Sequence, residues 1–361
     1  MNSEKIQSIF DQFQHRGKFT SFEELASGHI NDTYLVRTEK KPFYVLQRIN
    51  HGVFKNVSGL IENKVAVSDH IQEKLKVLPQ KKQMRRVLTF VKTNAGTSFH
   101  QDAVGNYWNL MIFIDKSITH ELVPSKKIAF EAGKLLGEFL TLTRDFDATK
   151  LVEVIPKFHD MSFRYEQFKT ALNVSSKDRL EKARMYIDKV AELKDEMHIL
   201  QNLKESGDIK IRVTHNDTKI SNALFDKKGK GLCLIDTDTV MPGIVHYDFG
   251  DAIRTICNSA AEDETNLDLV EFNVKYYKAY RKGFLKKMKH SLTPLEKQYL
   301  SLSAKTMIFI MALRFLTDYL NNDTYYKTKY PEHNLDRSKN QFKLLQSFTE
   351  KTKPIKPKAT K

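Results

Sequence analysis

The chain is predicted to fold in the α+β class, as a small β-rich lobe followed by a larger helical lobe, and three observations carry that prediction. Its 361 residues are more than one compact core comfortably holds. Its first third is broken into short apolar runs separated by turn residues, the pattern of strands. After about residue 115 the apolar residues recur with helical period instead.

In order along the chain, Ile30 to Arg37 and Phe43 to Ile49 read as paired strands around the charged turn Glu39-Lys40-Lys41. A helix is expected from about Leu60 to Leu75. Residues 85–93 and 107–114 form a second candidate hairpin, with turn residues at Asn94-Ala95-Gly96 and Gly105-Asn106. Beyond Asp115, residues Ile128, Ala132, Leu135, Leu136 and Phe139 share one helix face. Residues 175–203 read as a long charged helix, and residues 212–236 as a short β unit. Thr293-Pro294-Leu295-Glu296 is a capping-box start with Pro at the first helical position, opening a helix to about Leu320. The expected division is 1–115 for the small lobe, 116–345 for the helical lobe and 346–361 for a basic, disordered tail. No internal repeat is visible.

Composition excludes several classes. With 40% hydrophobic residues, 14 Gly and 9 Pro, the chain is neither disordered nor of low complexity. Cys233 and Cys257 are too few for a disulfide framework or a four-cysteine zinc site, and they fit a reducing compartment. The N-terminal stretch lacks the apolar core of a secretory signal. The most apolar run, Met307 to Leu313, is cut by Arg314 and falls short of the ~20 residues of a membrane span. A cytoplasmic, monomeric protein with no membrane or nucleic-acid partner is expected. The net charge of +15 is spread along the chain among acids, and only the Lys351–Lys361 tail is densely basic. The charge therefore reads as a solubilising surface suited to an anionic small ligand.

The chemistry concentrates in residues 212–238, which carry His215-Asn216-Asp217-Thr218-Lys219-Ile220-Ser221-Asn222, then two short strands around a Lys/Gly turn, then Asp236-Thr237-Asp238. H-x-D-x-K-x-x-N is the spacing of a kinase catalytic loop, and an acid after the second strand stands where a metal-binding Asp is needed. Phosphoryl transfer requires positioning and neutralisation of phosphate charge more than covalent help. Asp217 is therefore the expected catalytic base for an acceptor hydroxyl. Asn222 and Asp236 are the expected magnesium ligands, because Mg²⁺ keeps several waters and needs few protein oxygens. Lys219 would steady the transferring phosphoryl group, and His215 would brace the loop by hydrogen bonds. Asp238 is open between a supporting carboxylate and a substrate contact.

With those residues in view, the chain resembles the aminoglycoside phosphotransferase and choline kinase superfamily, whose members share the protein-kinase-like bilobal fold. Within it, Ser27 to Tyr34, Tyr44 to Asn50, Ile235 to Gly243, Asp248 to Arg254 and Lys329 to Arg337 are similar to bacterial N-acetylhexosamine 1-kinases. The resemblance implies ATP and Mg²⁺ as cofactors and the anomeric hydroxyl of an N-acetylhexosamine (GlcNAc or GalNAc) as acceptor. The alternatives are another acceptor on the same fold (an aminoglycoside, choline or another sugar) or a non-catalytic binding protein.

Supporting positions follow. There is no Walker loop and no G-x-G-x-x-G, and Gly28 is the only glycine in the corresponding turn; the resemblance implies that this turn meets the nucleotide phosphates through backbone N–H groups, while its residues alone read equally as a structural turn. The next strand should supply a phosphate-side cation, and Arg48 is the expected residue because Gln47 carries no charge. Glu62 is the available helix acid, but it reads as an exposed one. Phe113 and Ile114 sit where a hinge would hold adenine through its backbone, and their side chains read equally as ordinary strand core. Asp248 and Asp251 are expected to cap the start of a helix over Ala252 to Cys257. By resemblance His29, Arg314, Tyr325 and the Tyr330–Arg337 segment are candidates for the sugar. Arg314 could equally form a buried salt bridge.

Overall fold

The structure, a computed structural model, describes residues 1–25 and 30–352. Gly28 and His29, and the tail beyond residue 352, lie outside the described residues.

The small lobe is an antiparallel sheet with a helix on each side. Its strands are β1 (Phe19–Glu24), β2 (Asp32–Thr38), β3 (Tyr44–Ile49), β4 (Phe90–Val91), β5 (His100–Gln101) and β6 (Tyr107–Ile112), in the order β1-β2-β3-β6-β4 with β5 also on β6. The expected β2–β3 pairing is present, with Tyr34 opposite Leu46. The expected second hairpin differs. Only Phe90–Val91 of its first run is strand, and β6 is inserted between β3 and β4. Helix α1 (Ser3–Phe10), which the sequence reading passed over, lays Ile6, Ile9 and Phe10 on Tyr34, Tyr44, Leu46 and Trp108 of one sheet face. Helix α2 (Val57–Leu75) lies on the other side, where Leu60 and Ile61 pack on Ile49 while Val67, Ile71 and Leu75 join the large core. A single turn, α3 (Gln80–Gln83), follows it.

The large lobe is helical: α4 (Lys126–Leu142), α5 (Met161–Val174), α6 (Lys177–Glu205), α7 (Val245–Ile256), α8 (Val274–Met288), α9 (Pro294–Leu320) and α10 (His333–Lys351). The capping box at Thr293 and Glu296 forms as expected, with both reciprocal bonds. Helix α9 is apolar and long enough to cross a membrane by length and composition. Its apolar residues, from Leu300 to Leu320, belong to the lobe core. Helices α4 and α8 cross so closely that a Cβ on Gly283 would lie 2.0 Å from the Phe130 carbonyl oxygen, and one on Gly133 2.1 Å from that of Tyr280. Helix α10 continues through Lys351, so residues 346–351 are not part of a tail. Between α6 and α8 the chain forms β7 (Arg212–Thr214), β8 (Ala223–Phe225), β9 (Gly231–Leu234) and β10 (Met241–Gly243), with β7 paired to β10 and β8 to β9. Leu224, Leu232 and Cys233 of β8 and β9 pack with Met111 and Val45 of the small lobe, and Met241 of β10 packs with Ile49, Leu60 and Ile61.

Candidate active site

The loop from His215 to Asn222 is irregular backbone that buried side chains hold in place. Asn216 adopts a left-handed conformation (φ 63°) that costs a non-glycine residue energy. Its amide donates to Asp248 Oδ1 at 2.7 Å, the His215 amide donates to Asp248 Oδ2 at 2.9 Å, and the Thr218 amide donates to Asp251 Oδ2 at 2.9 Å. The Asn216 side chain bonds back to Thr214 Oγ1 and the Thr239 carbonyl. The expectation that Asp248 and Asp251 cap their own helix is corrected. Helix α7 begins at Val245, so both acids lie inside it and point at the loop. Burial, only partly opposed by those two N–H groups, pushes the Asp248 carboxyl up to about 7. His215 is buried with its Nε2 at 3.0 Å from the Ile235 carbonyl oxygen, the bracing contact anticipated for it.

Asp217 emerges from this clamp half-buried. Lys219 Nζ lies 3.0 Å from Asp217 Oδ2, and Asn222 Nδ2 donates to both the Asp217 carbonyl oxygen and Oδ2 at 2.9 Å. The Asn222 amide nitrogen is thereby committed, and Oδ1 is the atom of that side chain left to ligate a cation. The Ile235 amide donates to the Asn222 carbonyl at 2.9 Å, and the β8–β9 hairpin thus returns the chain so that Asp236 follows directly beside Asn222. Asp236 is left-handed (φ 59°) and open to the cleft. Its position in the cleft between the lobes, together with Asp238 and Asp217 nearby, raises its carboxyl above the ordinary range, against the opposing pull of Lys219 and Lys64. Burial alone would lower the Lys219 ammonium, but Asp217, Asp236 and Asp251 raise it. The site thus carries an excess of carboxylate. Among the described residues no group of three or more His, Cys, Asp or Glu could hold a metal alone. One amide oxygen and one carboxylate fit a cation that takes its remaining oxygens from phosphate and water.

Asp238 is placed differently from Asp236. It is 3% exposed, and its two oxygens receive Lys64 Nζ, Asn31 Nδ2 and Gln47 Nε2, all from the small lobe. Gln47 Oε1 in turn accepts from Lys64 Nζ at 2.9 Å and from Asn109 Nδ2 at 3.3 Å.

The expected phosphate-side cation is corrected by strand register. Gln47, not Arg48, faces the cleft; Arg48 lies on the α1 side of the sheet, paired with Asp32 and with its guanidinium 6.0 Å from the Trp108 ring centroid. The alternation of side chains along β3 allows only one of the two to face inward. Glu62 is exposed, as read. Lys64, two residues on, is the buried charge of α2, and nothing in its local spacing marked it.

At the end of β6, Ile114 is buried with Met111, Leu88 and Leu224, and Val45, Phe90 and Ile235 pack on this cluster from both lobes. The Phe113 amide is committed to the Phe43 carbonyl at 2.9 Å. The cluster joins apolar residues of the two lobes, and Ile235 in it directly precedes Asp236.

On the opposite side of Asp217, Arg314 of α9 forms no ion pair among the described residues. Its guanidinium lies 5.1, 5.8 and 5.5 Å from the ring centroids of Phe158, Tyr325 and Tyr326. The buried salt bridge weighed for Arg314 is therefore not formed. Arg164 is a neighbour that the sequence did not flag. It donates to the Phe158 carbonyl at 2.7 and 3.1 Å, and burial and the adjacent Arg314 lower it to about 10. His159 lies between this pair and the catalytic loop, 3.3 Å from the Asn216 carbonyl. Burial, then Arg314, lowers its imidazole to about 3, so it is neutral. Nearby acids are engaged elsewhere: Asp160 caps α5, and Glu262 pairs with Arg254. Tyr325 is exposed at the mouth, held by its amide on Asp318 Oδ1. In the Tyr330–Arg337 segment, Asn334 is buried and binds Asp318 and Asp323, which organises the tyrosine loop from beneath.

Comparison with solved structures places this fold. The microcompartment-associated aminopropanol kinase superposes with a TM-score of 0.64 at 15% identity, covering 95% of each chain. The amicoumacin kinase hAmiN, in complex with AMP-PNP, Ca²⁺ and amicoumacin, gives 0.62 at 13% identity over 98% of each chain. Choline kinase from Cryptosporidium parvum gives 0.59 at 15% identity over 97% of each. At such identities these likenesses establish the kinase-like fold. Residues 21–281, which span the sheet, the catalytic loop and the Asp236 turn, match the phosphotransferase enzyme family (APH), and the chain belongs to that family.

Proposed function

We propose that the protein is an ATP- and Mg²⁺-dependent kinase that phosphorylates the anomeric hydroxyl of an N-acetylhexosamine, giving the sugar 1-phosphate. The observation that carries the acceptor class is the pair Arg164 and Arg314, set among Phe158, Tyr325 and Tyr326, neither of which forms an ion pair among the described residues. A pocket for a cationic acceptor, such as the aminopropanol or choline of the similar kinases, needs uncompensated acids. Two arginines without an ion-pair partner among the described residues disfavour an ammonium group and favour a neutral or acyl-bearing sugar whose oxygens accept hydrogen bonds.

Asp217 orients the acceptor hydroxyl and takes its proton as the new O–P bond forms. Lys219 offsets charge on the transferring group. Asn222 Oδ1 and Asp236 would hold the Mg²⁺, which would supply charge neutralisation for the transferring phosphate. The adenine would lie against the apolar cluster of Val45, Ile114, Leu224 and Ile235. The two buried, unbridged cysteines, Cys233 and Cys257, support a reducing, cytoplasmic setting.

The test is ADP release across N-acetylglucosamine, N-acetylgalactosamine, unsubstituted hexoses, an aminoglycoside and choline, with the product assigned by phosphorus NMR. A 1-phosphate from an N-acetylhexosamine is expected. Turnover confined to the aminoglycoside or choline overturns the acceptor assignment.

A further inference from the structure

Protein kinases join a lysine on the third strand to a glutamate on the following helix, a pair that must be in place for catalysis. Among the described residues this chain has no such pair. The strand position facing the cleft is Gln47, and the cation is on the helix, at Lys64. Its partner lies in the other lobe: Lys64 Nζ is bonded to Asp238 Oδ1, two residues beyond Asp236. Lys64 is 2% exposed and Asp238 is 3% exposed. The charges are closed off by hydrogen bonds from every side. Asn31 and Gln47 donate to Asp238 Oδ2, Gln47 Oε1 accepts from Lys64 and Asn109, and Asn31 Oδ1 accepts the Asn50 amide at 2.7 Å.

We propose that Lys64, Asp238 and Gln47 form an interlobe latch of reversed polarity, which ties helix α2 to the Asp236–Asp238 turn and thereby sets Asp236 for the nucleotide's metal. Lys64 is a positioning residue: it acts through Asp238 on Asp236. Two features give the latch its effect. Asp236 is held left-handed only one residue from Thr237, where a one-turn helix (Thr237–Thr239) begins, so its direction follows that turn. Asp238, the middle residue of that turn, makes all its side-chain bonds to the small lobe. A move of α2 or β3 therefore moves the turn and rotates the Asp236 carboxylate. A buried pair of this kind adds little net stability over an apolar replacement, and its use is specificity of arrangement. The inference rests on the ATP–Mg²⁺ part of the proposed function and is independent of the acceptor.

The test is nucleotide binding by calorimetry, with no turnover required. The paired change Lys64→Met with Asp238→Asn removes both charges together and leaves neither alone in the core. Each single change strands one buried charge and should lower Tm more than the pair does. For the pair, affinity for AMP-PNP in EDTA should equal that of the wild type, while affinity for AMP-PNP with Mg²⁺ should fall at least about tenfold. Equal affinities for pair and wild type in both conditions, with a wild-type Tm, overturn the latch. Wild-type protein that binds no AMP-PNP–Mg²⁺ overturns the cofactor reading instead. Should the paired variant not fold, amide exchange on the wild type decides the matter. Added AMP-PNP–Mg²⁺ should slow exchange in α2 and in residues 236–240 together, and protection of the turn without α2 overturns the proposal.

Discussion

Replacing Asp248 with asparagine should separate stability from activity, and it should do so with a pH signature. Asp248 is fully buried, and its two oxygens accept the His215 and Asn216 amides at 2.9 and 2.7 Å. A side-chain amide retains one acceptor and turns an N–H group toward the other donor. One buried bond is lost and one backbone N–H is left unpaired, a cost of about 1–3 kcal/mol. The ionised carboxylate carries a cost of its own. Its pKa rises from about 3.8 to about 7 on folding, so between those values the folded state holds the proton more tightly than the unfolded one. Wild-type stability from this group is therefore full below about pH 3.8 and declines as pH rises, by up to ~1.4 kcal/mol per pH unit and ~4 kcal/mol in total. The substituted side chain does not titrate. Asp248→Asn should thus be less stable than wild type near pH 5 and should draw level or overtake it near pH 8. Urea unfolding of both proteins at pH 5, 6, 7 and 8 measures this difference, and the other titrating groups cancel because both proteins share them. Turnover should fall about 100-fold at every pH, because the left-handed Asn216 loses the bond that aims Asp217. Parallel stability curves, or wild-type turnover, would refute the reasoning.

Other outcomes follow from the same geometry. Asp217→Asn should lower kcat by at least about 100-fold with little change in nucleotide affinity, checked by steady-state kinetics and calorimetry. Arg314→Met, which keeps the contact with the aromatic rings but removes the donors, should raise the acceptor KM about 10- to 100-fold and leave the ATP KM unchanged. Gly283→Ala meets the Phe130 carbonyl and must push α8 from α4, so a loss of about 1–3 kcal/mol is expected in urea unfolding, with kcat preserved in the folded fraction.

What the sequence made legible was local. The loop Asp217–Asn222 and the hairpin that returns Asp236 lie within a contiguous stretch of 27 residues, 212–238, where spacing and turn chemistry dictate geometry. The α9 capping box is likewise complete in four residues. What stayed hidden depends on distant chain. Gln47 and Arg48 are distinguished only by which sheet face α1 covers, and α1 is some forty residues away. Lys64 has no local reason to be buried; its partner is 174 residues further along. Arg164 and Phe158 meet Arg314 only because α5 packs against α9. Asp248 is legible as an acid with backbone N–H groups to satisfy, but a helix start at Ala252 instead of Val245 points it at the wrong ones.

The two sides of the site are nevertheless built by one device. On the catalytic side, Asp248 and Asp251 of α7 take the amides of His215, Asn216 and Thr218. On the Arg314 side, Asp318 of α9 takes the amides of Tyr325 and Tyr326 at 2.8 and 2.9 Å, and also Asn334 Nδ2. In each case a carboxylate fixed on a rigid helix satisfies consecutive or near-consecutive N–H groups of a loop that has no ladder of its own. Helices α7 and α9 pack on one another in the lobe core. The separation between Asp217 and the Arg314–Tyr325 pocket is thus set by a helix–helix contact, and the loops inherit its rigidity. Within such a frame a change of acceptor requires new side chains on the α5 and Tyr325 side alone, while the Asp248 clamp and the Asp217 it aims stay in place.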